Sequence, residues 1–133
     1  MKFTSDQILD MVPFARTLGI EFAAISDATV EARMRNRPEL STMGGGLHGG
    51  AVMGIADVVG AATTALALDE GDLWTTIEST TYFLNPGKGE CVVARGSATK
   101  TGNSLAFVQI DLYSDREVHL ARTSQVVAIQ RRH

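Results

Sequence analysis

The sequence has one cysteine, Cys91, and so cannot build an intrachain disulfide framework or a zinc site on paired cysteines. A reducing, cytoplasmic setting is the expectation that follows. Basic residues are few and scattered: 12 Lys and Arg stand against 15 Asp and Glu, for a formal charge of -3. No stripe of positive charge can track a phosphate backbone, which excludes nucleic acid as the expected partner. The opening stretch, MKFTSDQILDMVPFARTLG, lacks the unbroken apolar run of a signal peptide, because Asp6 and Asp10 sit inside its apolar pattern. An exported protein is not expected. Internal repeats, low-complexity tracts and linkers are also missing.

What is present is the balance of an ordinary globular chain, 44% hydrophobic and 20% charged over 133 residues. One domain over residues 1–133, with a substantial core, is expected. Thr4 or Ser5 can cap a short N-terminal helix carrying Ile8, Leu9, Val12 and Ala15 at helical spacing, with Pro13 as its kink or end. That helix reads as a lid or flank. From Ile20 the period changes to two. Val30, Ala32 and Met34 alternate with Glu31, Arg33 and Arg35, the pattern of a strand buried on one face. Residues 20–25 form its hairpin partner across a turn at Ser26-Asp27.

Residues 37–48 hold Pro38, Ser41, Thr42 and the run Gly44-Gly45-Gly46, which predicts irregular backbone. Residues 50–68 follow as a helix that is apolar on nearly every side, interrupted by Asp57 and a few Gly and Thr positions. Such a helix is buried or lies in a membrane. A span of about 20 apolar residues would suffice to cross a bilayer. Asp57 in mid-span would cost several kcal/mol, and the segment is rich in weakly apolar Ala, Gly and Thr, so burial in a protein core is the reading that stands. Strands are predicted over residues 73–84, 90–100, 105–113 and 118–130. Asn85-Pro86-Gly87, Thr101-Gly102-Asn103 and Ser114-Asp115 separate them as hairpin turns, giving an antiparallel meander.

Five or six antiparallel strands have one apolar face to bury, and the 50–68 helix is the strongly apolar partner available. The predicted architecture is α+β: a long central helix wrapped by a curved five- or six-stranded sheet, with a short N-terminal helix. That is the hotdog topology.

Chemistry is concentrated in LHGGAVMGIAD. His48, Gly49 and Gly50 fall at the helix start, where free N–H groups and the positive end of the macrodipole suit an oxygen gaining charge. The two glycines admit close approach, although they can equally be only a flexible entry to the helix. Asp57 lies two turns inside, sharing a face with Met53, Gly54, Gly60, Ala61 and Thr64. A carboxylate on an apolar face is costly unless paired or used. It serves general-base chemistry near neutrality better than a solvated one. The structural alternative is an aspartate hydrogen-bonded to a threonine or to backbone.

HGG followed by AVMGIAD, together with TTYFLNP and KTGNSLAF further on, resembles the hotdog-fold acyl-CoA thioesterases of the phenylacetate-pathway (PaaI-like) branch, over residues 38–130. The resemblance implies that the Gly49 N–H polarises the thioester carbonyl, that His48 positions the thioester or the loop, and that Asp57 activates water or attacks the carbonyl. It also implies a pocket completed by a neighbouring subunit. A hydroxyl on the next strand assists the water, and Thr76, with Thr75 beside it, falls there. Coenzyme A is implied along residues 83–88 and 100–105. Asn85, Lys88, Lys100, Gly102, Asn103 and Ser104 become candidate contacts, whereas without the resemblance the two lysines are solvated turn residues. One departure stands out. Many relatives carry an asparagine six positions before the histidine, and here Thr42 occupies that place as the second candidate donor.

The expected reaction is hydrolysis of an acyl-CoA to a free acid and coenzyme A, with no metal ion and no redox cofactor. Met53, Phe14, Leu18 and Ile55 are the candidate pocket lining. His119 and His133 are set aside as structural or solvated, and Cys91 as a space-filling residue. An exposed sheet edge implies a homodimer, and the resemblance a tetramer of two dimers. The rival class is an acyl-CoA-binding module without turnover, which the change at Thr42 keeps open. A dehydratase acting on carrier-protein thioesters would need its histidine and carboxylate differently placed.

Overall fold

In the computed structural model, which describes residues 3–132, the chain opens with two short helices rather than one. Thr4 caps α1 (Ser5–Met11) by a reciprocal capping box with Gln7. Pro13, which cannot continue a helix but suits the start of one, begins α2 (Pro13–Leu18). Gly19, at φ 72°, closes α2 in the left-handed conformation. His133 lies outside the described residues.

Strands β1 (Ile20–Ile25) and β2 (Thr29–Arg35) pair as the predicted hairpin, with the Ser26 hydroxyl accepting the Ala28 and Thr29 N–H groups in its turn. Val30, Ala32 and Met34 are all buried, as their alternation requires. A one-turn helix (Pro38–Leu40) and the glycine loop lead to α3 (Gly49–Ala65). The helix stops three residues short of the predicted end, and the Leu66, Ala67 and Leu68 N–H groups bond to the carbonyls three residues back.

Strands β3 (Leu73–Phe83), β4 (Cys91–Thr101), β5 (Leu105–Ser114) and β6 (His119–Gln130) complete a six-stranded antiparallel sheet in the order β1-β2-β4-β5-β6-β3. The predicted meander holds for β4, β5 and β6 only. β3 pairs with β6 at the far edge, so Asn85-Pro86-Gly87 is not a hairpin turn. The seven residues 84–90 instead cross the end of the sheet. An extended segment of that length reaches about 23 Å, and three strand spacings need about 14 Å. On the way it is tied down at three points. Leu84 and Asn85 N–H donate to the Leu120 carbonyl, Leu47 N–H donates to Gly87, and Asn36 N–H donates to Glu90. The crossing therefore lies against the start of α3, which a hairpin would not do.

The sheet closes on one side of α3. Ile55, Ala56 and Val59 are fully buried there with Met34, Val92, Ile110, Leu112 and Val127, each large side chain contributing roughly 1.5–3 kcal/mol. Gly96 lets β4 approach so closely that a Cβ there would meet Thr63 Oγ1 at 2.3 Å. Met53 and Asp57, at other positions around α3, remain exposed. Among the described residues no helix is long and apolar enough to cross a membrane.

Candidate active site

His48 is the N-cap of α3. Its Nδ1 accepts the Gly50 N–H at 2.8 Å, so the ring proton is on Nε2. Gly50 is needed for this, since a Cβ would stand 3.0 Å from that nitrogen. The His48 carbonyl accepts from Ala51 and Val52. Of the four first-turn donors only the Gly49 N–H makes no hydrogen bond among the described residues. Gly49 lines a groove of about 500 Å³ formed by the glycine loop, the α3 start and the crossing segment, in which Thr42, Gly49, Asn85 and Lys88 meet. Both halves of the sequence alternative are thus present: an entry to the helix, and a free donor at its positive end. Phe83 packs on Gly49, where a Cβ would meet its ring at 3.3 Å.

Two turns on, Asp57 is exposed in the isolated chain, which corrects the expectation of a buried carboxylate. Its Oδ1 accepts two hydrogen bonds, from Thr76 Oγ1 at 3.1 Å and Gln125 Nε2 at 2.9 Å. Its Oδ2 accepts none among the described residues. Thr76 is thus where the resemblance put it, and the bond to a threonine that the structural alternative required also exists.

Gln125 was not anticipated from sequence. It is 2% exposed on β6 and reaches past α3 only because residue 60 is glycine, where a Cβ would fall 2.0 Å from its Oε1. Its Nε2 also donates to Ser79 Oγ at 3.1 Å, while its Oε1 is buried and accepts nothing among the described residues. The available signal was a polar residue at an inward position of a strand whose other inward residues include Val127 and Ile129.

The remaining candidates are divided. Asn85 is fastened by Nδ2 to the His119 carbonyl at 2.9 Å, and Lys88 is exposed beside it. Lys100, Gly102, Asn103 and Ser104 lie at the other end of β4, about 33 Å away along an extended strand of that length. There the Gly102 and Asn103 carbonyls accept from Arg131, and Ser104 accepts from Ile129 N–H. One chain does not bring the two sets together. Of the expected pocket lining, Leu18 and Ile55 belong to the core at 5% and 0% exposure. Among the described residues no cluster of three or more His, Cys, Asp or Glu is placed to hold a metal ion.

Helix, wrapped sheet and helix-borne polar groups define the hotdog class of thioester hydrolases. The sequence profile of the Thioesterase superfamily matches residues 44–121, and the chain belongs to that superfamily. The fold is similar to that of thioesterase HI1161 from Haemophilus influenzae, at a TM-score of 0.92 and 22% identity, over 99% of this chain and 94% of that one. It is also similar to a thioesterase family protein from Silicibacter pomeroyi, at a TM-score of 0.88 and 23% identity, over 94% of each. In sequence the chain is 25% identical to the medium/long-chain acyl-CoA thioesterase YigI of Escherichia coli, over 91% of this chain and 88% of that protein. These matches reach the superfamily and not a branch within it.

Proposed function

We propose that the protein hydrolyses an acyl-coenzyme A thioester to a carboxylic acid and coenzyme A, with Asp57 as the reacting carboxylate and the Gly49 N–H as the oxyanion donor. The observation that carries this is the asymmetry of Asp57, a residue that also lines an apolar cavity: Oδ1 is pinned by Thr76 and Gln125 while Oδ2 is unengaged among the described residues. As general base, Oδ2 takes a proton from water as its oxygen bonds to the carbonyl carbon. The carbon–sulfur bond then breaks, and the proton passes to the thiolate. As nucleophile, Oδ2 would form a mixed anhydride that water cleaves. Label in Asp57 after one turnover in ¹⁸O-water establishes the second route, because it requires water to add to the Asp57 carbonyl of the anhydride.

Gly49 and Asp57 are eight residues apart on one helix, about 12 Å along its axis. A carbonyl carbon and its oxygen are about 1.2 Å apart, so one thioester cannot touch both groups of the same chain. The site is therefore completed by a second copy. The exposed edge strand β3, with Leu73, Ile77 and Tyr82 each more than half exposed, supports such pairing. The same assembly accounts for the split set of coenzyme A candidates. Thr42, Asn85 and Lys88 hold one part from one copy, and Lys100 with Gly102, Asn103 and Ser104 another part from a different copy.

The test is free-thiol release from acyl-CoA substrates of graded length by purified protein, with its mass in solution measured alongside. Release by a species of dimer size or larger is expected. Coenzyme A derivatives that raise the melting temperature with no thiol release from any of them would turn the reading to a binding module.

A further inference from the structure

Asp57 also lines a second space, and that space bears on the acyl group. Asp57 is the single charged residue in the lining of a cavity of about 150 Å³ between α3, the two N-terminal helices and β3. The space exists because the helix stripe that continues from Asp57 is small: Ala61 and Ala65 follow at one and two turns. Phe14 and Met11 roof it, and Trp74 closes it from the strand side. Gly54 allows the roof to sit low, since a Cβ there would meet the Phe14 ring at 3.3 Å and Leu18 at 3.0 Å. Met11 and Phe14 are each about half exposed, so this is a cleft open to solvent on the helix side, with a half-engaged carboxylate in an otherwise apolar lining.

We infer that this cavity holds the acyl group, and that its size sets the substrate class: one aromatic ring or a chain of up to about six carbons. An apolar cavity of about 150 Å³ accommodates benzene, and a longer chain would have to displace Met11 or Trp74. The inference rests on Asp57 acting at the thioester, since the carbonyl would then sit at the mouth with the acyl tail running along Ala61 towards Ala65.

The experiment compares the wild-type protein with Ala61→Leu, which fills the cavity, and Met11→Ala, which lengthens it. Two readouts are taken on acetyl-, hexanoyl-, phenylacetyl- and decanoyl-CoA: thiol release, and the melting shift each ligand produces relative to free coenzyme A. Wild type should prefer hexanoyl- and phenylacetyl-CoA to decanoyl-CoA. Ala61→Leu should lower kcat/KM on the first two about tenfold or more while leaving acetyl-CoA within about twofold, as expected when a pocket loses room for a few methylenes. Met11→Ala should raise the relative rate on decanoyl-CoA. Thiol release with a chain-length profile that neither variant alters overturns the cavity and leaves hydrolysis standing. The converse result, no thiol release but a hexanoyl-specific melting shift that Ala61→Leu abolishes, keeps the cavity and removes the hydrolytic reading.

Discussion

Asp57 on α3 and Asp72 before β3 are both held by hydrogen bonds, and they differ in what is left over. Asp72 is 4% exposed and fully engaged. Oδ1 accepts the Arg132 N–H at 2.9 Å, and Oδ2 accepts the Asp69 N–H at 3.0 Å and Arg131 Nη1 at 3.1 Å. Asp57 spends one oxygen in the same way and keeps the other. A carboxylate with both oxygens engaged is committed to holding its partners in place. One that is half used is oriented and still reactive. The Asp72 corner ties the last strand to the α3–β3 connection, whereas Asp57 is held by β3 and β6 and still exposed.

Exchanging each for asparagine should break the comparison in opposite directions. Asp57→Asn keeps the shape and the Oδ1 acceptor but loses the base, so kcat should fall by about 10²–10⁴ with the melting temperature within a few degrees of wild type. Turnover unchanged in that variant would remove Asp57 from the reaction. Asp72→Asn should do the reverse, lowering the melting temperature by several degrees while the folded protein keeps its kcat. Acid adds a second handle. The Arg132 and Asp69 N–H groups, with Arg131, hold the Asp72 carboxyl below its ordinary value of 3.8 against the opposing effect of burial. A group whose pKa is lower folded than unfolded stabilises the fold above the unfolded value, and that contribution is lost as the pH falls through the folded one. Melting temperature should therefore drop below about pH 3.8 in wild type and drop less steeply in Asp72→Asn. Parallel curves would show that Asp72 carries no share of the acid sensitivity.

A smaller effect tests how Asp57 is oriented. Gln125→Leu removes the Nε2 donor and leaves Thr76 alone to hold Oδ1. A hydrogen bond to a charged group contributes about 1.5–3 kcal/mol, so kcat should fall roughly tenfold or somewhat more with KM unchanged. Gly60→Ala should act in the same direction without touching Gln125 itself, because its Cβ would meet Oε1 at 2.0 Å and push the amide away. Equal kcat in both variants with lower melting temperatures would make Gln125 a packing residue only.

The sequence displayed these features unevenly. Strand positions were legible to within a residue or so because alternation is a local signal, as at Val30, Ala32 and Met34. The place of β3 was not, since Asn85-Pro86-Gly87 has the chemistry of a hairpin turn and only the pairing of β3 with β6 overrules it. At the site, His48, Gly49 and Asp57 could be read together because one helix fixes their spacing. Thr76 came through the family resemblance. Gln125 was hidden because it lies 68 positions from Asp57 and its reach depends on a glycine in a different element. Asp72 was hidden likewise, its main partners being at the last strand's end.

The smallest expected effect concerns His119, which does not line the groove and bears on it only through the carbonyl that holds Asn85. Its carbonyl accepts Asn85 Nδ2, while its ring points elsewhere, stacked on Tyr113 at 4.7 Å and bonded through Nε2 to Asp111 Oδ1 at 2.9 Å. Burial alone would raise the Asp111 carboxyl, but the Arg122 hydrogen bond and charge, with Gln109 and His119, hold it below its ordinary value. Arg122 Nε bonds the same oxygen at 2.8 Å without involving His119, and half-exposed pairs of this kind contribute about 0–1 kcal/mol. His119→Gln should therefore leave kcat within about twofold and move the melting temperature by no more than a few degrees, because the backbone carbonyl that anchors Asn85 is kept. A tenfold loss of turnover at unchanged melting temperature would instead mean that the ring, and not only the main chain, supports the groove beside Gly49.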